Sequence, residues 1–163
     1  MSDASNDRMR FRLAEAGDRA RLIPLINAAF AIESFLEGTR TDEPRLAAMM
    51  EKGSILLAED ESGQALGCVY TELRGERGYL GMLAVDPAHQ TKGLARKIVE
   101  AAEERFRELG CVAVEISVLN LRPELPPIYR RYGYVETGRE EFRMSRILKD
   151  QAECHCIVMT KTL

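Results

Sequence analysis

No stretch of this 163-residue chain approaches the ~18 consecutive apolar residues of a membrane-spanning helix, so the sequence offers no candidate for one. Basic charge is not in excess either. Lys and Arg number 23 against 26 Asp and Glu, a net charge of −3, and the broad positive field that nucleic-acid binding draws on is missing. Cysteine is scarce: Cys68, Cys111, Cys154 and Cys156 lie in strand-like apolar stretches, and no apolar N-terminal segment directs export. These cysteines are expected to be reduced and buried in a cytoplasmic protein. Cys154-His155-Cys156 suggests no metal, because on a strand both thiols face one way and the imidazole the other, which defeats a shared tetrahedral site. The dinucleotide pattern G-x-G-x-x-G and the P-loop pattern G-x-x-x-x-G-K-[S/T] are both absent.

What is present reads as alternating strands and helices. Residues 1–7 are polar and expected to be a disordered tail, with one domain over 8–163. Met9 to Ala14 alternates apolar and charged residues, as a half-buried strand does. Asp18 caps a helix with Leu22, Ile23, Ile26, Ala29 and Phe30 at helical spacing and a kink at Pro24. A loop through Glu33, Glu37 and Gly38 follows, then a helix from Thr41 or Asp42 to Gly53. Ser54 to Glu59 and Ala65 to Leu73 form a hairpin, and Tyr79 to Val85 a further strand. A long helix over 91–109 should face the sheet with Leu94, Ile98, Val99, Ala102, Phe106 and Leu109, stopping at Gly110. The strand 111–119, a short helix over 125–132, and strands 134–142 and 154–162 complete a mixed α/β order.

The segment from Leu83 to Ala95 carries the chemistry. Lys92, Arg96 and Lys97 open the long helix, whereas Glu103, Glu104 and Glu108 lie toward its end, the reverse of what a helix macrodipole favours. An anion on the helix N-terminus accounts for that order, and Gly93 allows close approach of the backbone.

Gln90-x-x-Gly93-x-Ala95, placed between a strand and a helix, resembles the pyrophosphate loop of the GNAT superfamily of acetyl-CoA-dependent N-acetyltransferases. The stretch Pro127 to Val135, with Tyr129, Tyr132 and a Gly133-Tyr134 turn, is similar to that family's second landmark. The resemblance implies a sheet of seven mostly antiparallel strands, the fourth and fifth parallel and splayed apart, covered by about four helices. It also implies acetyl transfer from acetyl-CoA, as co-substrate, to a primary amine of a small molecule or protein. No metal, nucleic acid or membrane is implied, and a homodimer is left open. Backbone amides from Gln90, Thr91, Lys92, Gly93, Leu94, Ala95 and Arg96 would cradle the diphosphate, with Lys92 and Arg96 adding charge. Leu83 and Val85 would pair with the pantetheine arm, and one of their amides would polarise the thioester carbonyl. Tyr129 matches the general acid, Tyr132 is its competitor, and Asn120 resembles a cofactor-contacting Asn. An acyl-CoA-binding sensor without turnover is the alternative.

The base stays open. A lysine-like amine at pH 7 is neutral in about one molecule in 2,500, whereas an α-amine is neutral in about one in ten. Tyr79 stands where the family commonly has a Glu. Glu72, Glu115, His155 or water are the substitutes. The acceptor is expected between the first two helices and the last strand pair, where Glu33, Glu37, Glu140 and Glu141 would attract a cation.

Overall fold

The computed structural model describes residues 9–89, 93–142 and 154–163. Among these residues the chain forms strands β1 (Arg10–Leu13), β2 (Ser54–Glu59), β3 (Ala65–Arg74), β4 (Arg77–Val85), β5 (Ala113–Leu119), β6 (Val135–Glu141) and β7 (His155–Thr162). The α-helices are α1 (Arg19–Ala29), α2 (Glu43–Lys52), α3 (Leu94–Glu108) and α4 (Leu125–Arg131). The strands make one sheet in the order β1-β2-β3-β4-β5-β7-β6, with β4 and β5 parallel and every other neighbouring pair antiparallel. The expected tail over 1–7, like Gln90, Thr91 and Lys92, lies outside the described residues.

Two apolar layers sandwich this sheet. Leu94, Ile98, Val99, Ala102 and Phe106 of α3 pack with Val69, Leu80, Val114, Ile116, Tyr129 and Tyr134 on one side. Leu22 and Ile26 of α1 and Leu46 of α2 pack with Ile55, Leu57, Cys68, Tyr70 and Ala84 on the other. The helix α3 lies close to β4 because Gly78 presents no side chain: a Cβ there would sit 2.5 Å from the Phe106 ring.

Several local expectations change. Leu109 is 48% exposed, because α3 ends at Glu108 and Leu109 stands past its last turn. β1 lies at the sheet edge and is largely exposed. Pro24, by contrast, does not stop α1, in agreement with the sequence reading. Cys154 and Cys156 are only half-buried, and Cys111 and Cys154 lie just outside their strands; all four thiols are free.

Asp18 also differs from a simple cap. Its carboxylate accepts no amide of α1 and instead takes the Glu15 N–H at 2.7 Å, Arg12 Nη1 and Nη2 at 2.8 and 2.9 Å, and Arg21 Nη2 at 2.9 Å. Arg12 and Arg21 also bind Glu59, at 2.7 and 2.6 Å, which ties β1, β2 and α1 together. The Arg12 hydrogen bonds, followed by Glu15 N–H and Arg21, hold Asp18 well below the usual carboxylate range against the opposing effect of burial. A depressed carboxylate stabilises the fold above its unfolded pKa of about 4 and loses that contribution as pH falls toward the folded value. Asp18→Asn is therefore expected to cost about 2 kcal/mol at pH 7. Urea midpoints from pH 7 to pH 3 check this, and the gap between variant and wild type should narrow in acid.

Candidate active site

The site begins with a break in the sheet. β4 and β5 pair from Arg77↔Ala113 to Leu80↔Ile116 and no further. Beyond that point β4 stays on β3, through Cys68↔Ala84 and Gly67↔Val85, while β5 stays on β7 from Ser117↔Val158 to Leu119↔Cys156. The parallel pair therefore splays. At the parting point the β3–β4 register shifts between Cys68 and Tyr70, and Met82 takes a left-handed backbone with φ of 49°. A left-handed non-glycine residue is strained by about 1–3 kcal/mol and is commonly kept at functional sites. Met82 was not legible in the sequence, since methionine carries no turn signal.

The splay opens a cleft of about 370 Å³. Leu83 and Val85 line it from β4, Ala95 and Val99 from α3, Ser117 and Leu119 from β5, and Tyr129 from α4. Leu83, Val85, Ala95 and Tyr129 are thus brought together on one cleft. Tyr129 is buried, its ring held edge-on between Tyr132 and Tyr134 with centroids 5.8 and 5.9 Å away. Burial, chiefly, lifts its phenol well above the ordinary tyrosine range, so the group stays protonated at neutral pH. Its hydroxyl has no hydrogen-bond partner among the described residues. Tyr132 does not line the cleft; its ring receives the Arg96 guanidinium at 5.7 Å.

The start of α3 suits an anion. Gly93 caps the helix with φ of 71°, a conformation natural to glycine, and nothing lies within 4 Å of where its Cβ would be. The first-turn amides of Leu94, Ala95 and Arg96 have no intrahelical acceptor among the described residues, Gly93 O being taken by Lys97 N–H. Only the backbone of Leu94 is available, because its side chain is buried in the core. Arg96 pairs with Glu100 at 3.0 Å. The charge order of α3 also has local causes at its other end. Glu103, fully buried, accepts Tyr134 OH at 2.8 Å and Lys161 Nζ at 3.1 Å, and Glu104 pairs with Arg107. The reversed charges therefore point to an anion less strongly than the sequence alone implies.

Other candidates fall elsewhere. Asn120 does not line the cleft; its N–H donates to His155 O and its Oδ1 accepts His155 N–H, at 3.0 and 2.9 Å, clamping β5 to the start of β7. Glu72, Glu115 and His155 do not line the cleft either. Burial alone would raise the Glu72 pKa, but hydrogen bonds from Tyr70 and Arg74 and the charges of Arg74 and Lys52 bring it below the usual range, the wrong direction for a base. Tyr79 does line the cleft, raised by burial while Arg74 pulls it the other way. Glu33 lines the cleft at 4% exposure, but its charge is met by Arg122 at 3.0 Å, a pairing 89 positions apart that no local pattern announces. Glu37 is exposed and outside the cleft, whereas Glu140 and Glu141 line a neighbouring one. Among the described residues no group of three or more His, Cys, Asp or Glu could hold a metal.

The chain is similar to known proteins in sequence and in fold. The chain is 29% identical over 125 residues to a mycothiol acetyltransferase of Propionibacterium freudenreichii, a match covering 72% of this chain and 40% of that protein. It is 32% identical over 85 residues to an acetyltransferase of Agrobacterium fabrum, covering 52% and 60%. It thus spans less than two thirds of either relative. In fold it is similar to the spermidine N-acetyltransferase from Vibrio cholerae solved in complex with CoA and spermine, with a TM-score of 0.76, 18% identity, and 96% of each chain covered. Residues 28–148 match the model of the acetyltransferase (GNAT) domain, and the chain belongs to that family.

Proposed function

We propose that this protein transfers the acetyl group of acetyl-CoA to a primary amine by direct attack in a ternary complex. The observation that carries the reading is the coincidence on one cleft of Ala95 from the amide-rich start of α3, a splayed β4–β5 pair and a buried Tyr129. Acetyl-CoA, as co-substrate, supplies an activated thioester. The amides of residues 90–96 bind its diphosphate, Leu83 and Val85 orient the pantetheine arm as an added strand would, and one of their N–H groups is aimed at the carbonyl oxygen. Tyr129 holds a proton at its hydroxyl for the departing thiolate. With Glu72 depressed and Glu33 paired to Arg122, no carboxylate of the described lining serves as base, so the ammonium form of the acceptor gives one proton to water before attack, and the proton that the nitrogen sheds as the amide forms passes through solvent and restores the Tyr129 hydroxyl.

A cytoplasmic setting fits four free thiols and the finding that, among the described residues, no helix is long and apolar enough to cross a membrane. Thiol release from acetyl-CoA across a panel of primary amines tests the activity. The reading expects amine-dependent release that rises with pH as the acceptor deprotonates, with no falling limb from Tyr129 below about pH 10. Tight acetyl-CoA binding with no amine-dependent release from any acceptor would contradict it.

A further inference from the structure

A second cleft, of about 690 Å³, adjoins the first and shares Tyr79, Ser117 and Cys156 with it. Its other walls are Lys52 at the end of α2, Arg74 at the end of β3, and Arg139, Glu140 and Glu141 on β6. Glu140 and Glu141 were expected on the acceptor side; three cations stand beside them here, with Glu72 3.9 Å from Lys52 and 3.3 Å from Arg74.

Arg74 is held in a specific attitude. Its guanidinium lies on the Tyr79 ring, 3.7 Å from the centroid, and its Nε donates to Glu72 Oε1 at 3.3 Å. Both anchors fix the plane and leave Nη1 and Nη2 without a partner among the described residues. A guanidinium edge presented this way matches the two oxygens of a carboxylate. Arg139 also has no side-chain hydrogen bond or ion pair to a described residue. Of the two acids, Glu140 takes the Ser117 hydroxyl at 3.3 Å. With Lys52 answered by Glu72, a polyamine would bring its positive charges against the open edge of Arg74 and against Arg139.

We infer that this second cleft is the specificity subsite for the acceptor, and that it selects a small amine bearing a carboxylate, an amino acid or close analogue, with that carboxylate on the Arg74 edge. The inference rests on the first cleft being the site of acetyl transfer. Tyr79 links the two functions: it walls the first cleft while its face carries Arg74, so an anion on Arg74 stands one aromatic ring away from the first cleft.

The test pairs each amino acid with its carboxamide, and adds spermidine, in steady-state thiol-release assays on the wild type, Arg74→Met and Arg139→Met. The wild type is expected to prefer acids over carboxamides and over spermidine. Arg74→Met should lower kcat/KM for the acids by about 100-fold, mostly through KM, while leaving the carboxamides and the KM for acetyl-CoA unchanged. Arg139, on the exposed edge strand, provides a variant that leaves the core untouched and should lower the same ratio in the same direction. Acetylation of carboxamides and spermidine as readily as acids, or equal effects of both variants on acids and carboxamides, would overturn the subsite and leave acetyl transfer standing. Failure of every amine would overturn acetyl transfer, and the subsite with it.

Discussion

Tyr129→Phe is expected to lower kcat for acetyl transfer by about 100- to 10,000-fold, the range that a positioned general acid contributes, with the Kd for acetyl-CoA nearly unchanged. The substitution removes one hydroxyl and keeps a ring that packs edge-on against Tyr132 and Tyr134. No described group loses a partner, since that hydroxyl bonds to none of the described residues, so the urea midpoint should stay within experimental scatter of wild type. A fall in activity then reports chemistry and not unfolding. Tyr132→Phe should be close to neutral, because Tyr132 lies outside the cleft. Turnover by Tyr129→Phe within a few-fold of wild type would remove Tyr129 from the acid's role.

Substitutions at Gly93 are expected to act on binding instead. Two costs are separable there. The φ of 71° penalises any side chain, most of all a β-branched one, whereas Asn tolerates it. The open space over the Cβ position is where a phosphate would approach the α3 amides, and any side chain enters it. Gly93→Asn should therefore keep the turn and a near-normal urea midpoint while weakening acetyl-CoA binding. Gly93→Val should lose both stability and affinity. Displacing the phosphates from two charge-assisted hydrogen bonds, each worth about 1.5 kcal/mol, amounts to about a 100-fold rise in Kd. Unchanged acetyl-CoA affinity in Gly93→Asn would show that the diphosphate lies elsewhere.

Much of the fold was legible because its signals are local. The apolar run in Ser54 to Glu59, helical spacing from Leu94 to Phe106, and the glycines at 53, 110 and 133 mark elements that the structure places within a few residues of the expected bounds. Tyr129 could be picked out because a short helix and a Gly-aromatic turn surround it. The rest depends on contacts that sequence spacing does not encode. Met82 owes its left-handed backbone to a register shift between strands, Glu33 meets Arg122 only after the sheet has formed, and Asn120 is recruited to clamp His155. Glu103 looked like an unfavourable charge near a helix end, but the fold buries it against Tyr134 and Lys161. The second cleft was missed for the same reason: Lys52, Arg74 and Arg139 come from three separate elements.

The central claim is that main-chain amides at the start of α3 hold a diphosphate and so aim the attached thioester between β4 and β5. Calorimetric titration of the wild-type protein with acetyl-CoA and with S-acetylpantetheine, which has the same thioester and arm but no diphosphate, tests it most directly. Binding of acetyl-CoA at least about 100-fold tighter is expected. Equal affinity for the two ligands would contradict the account.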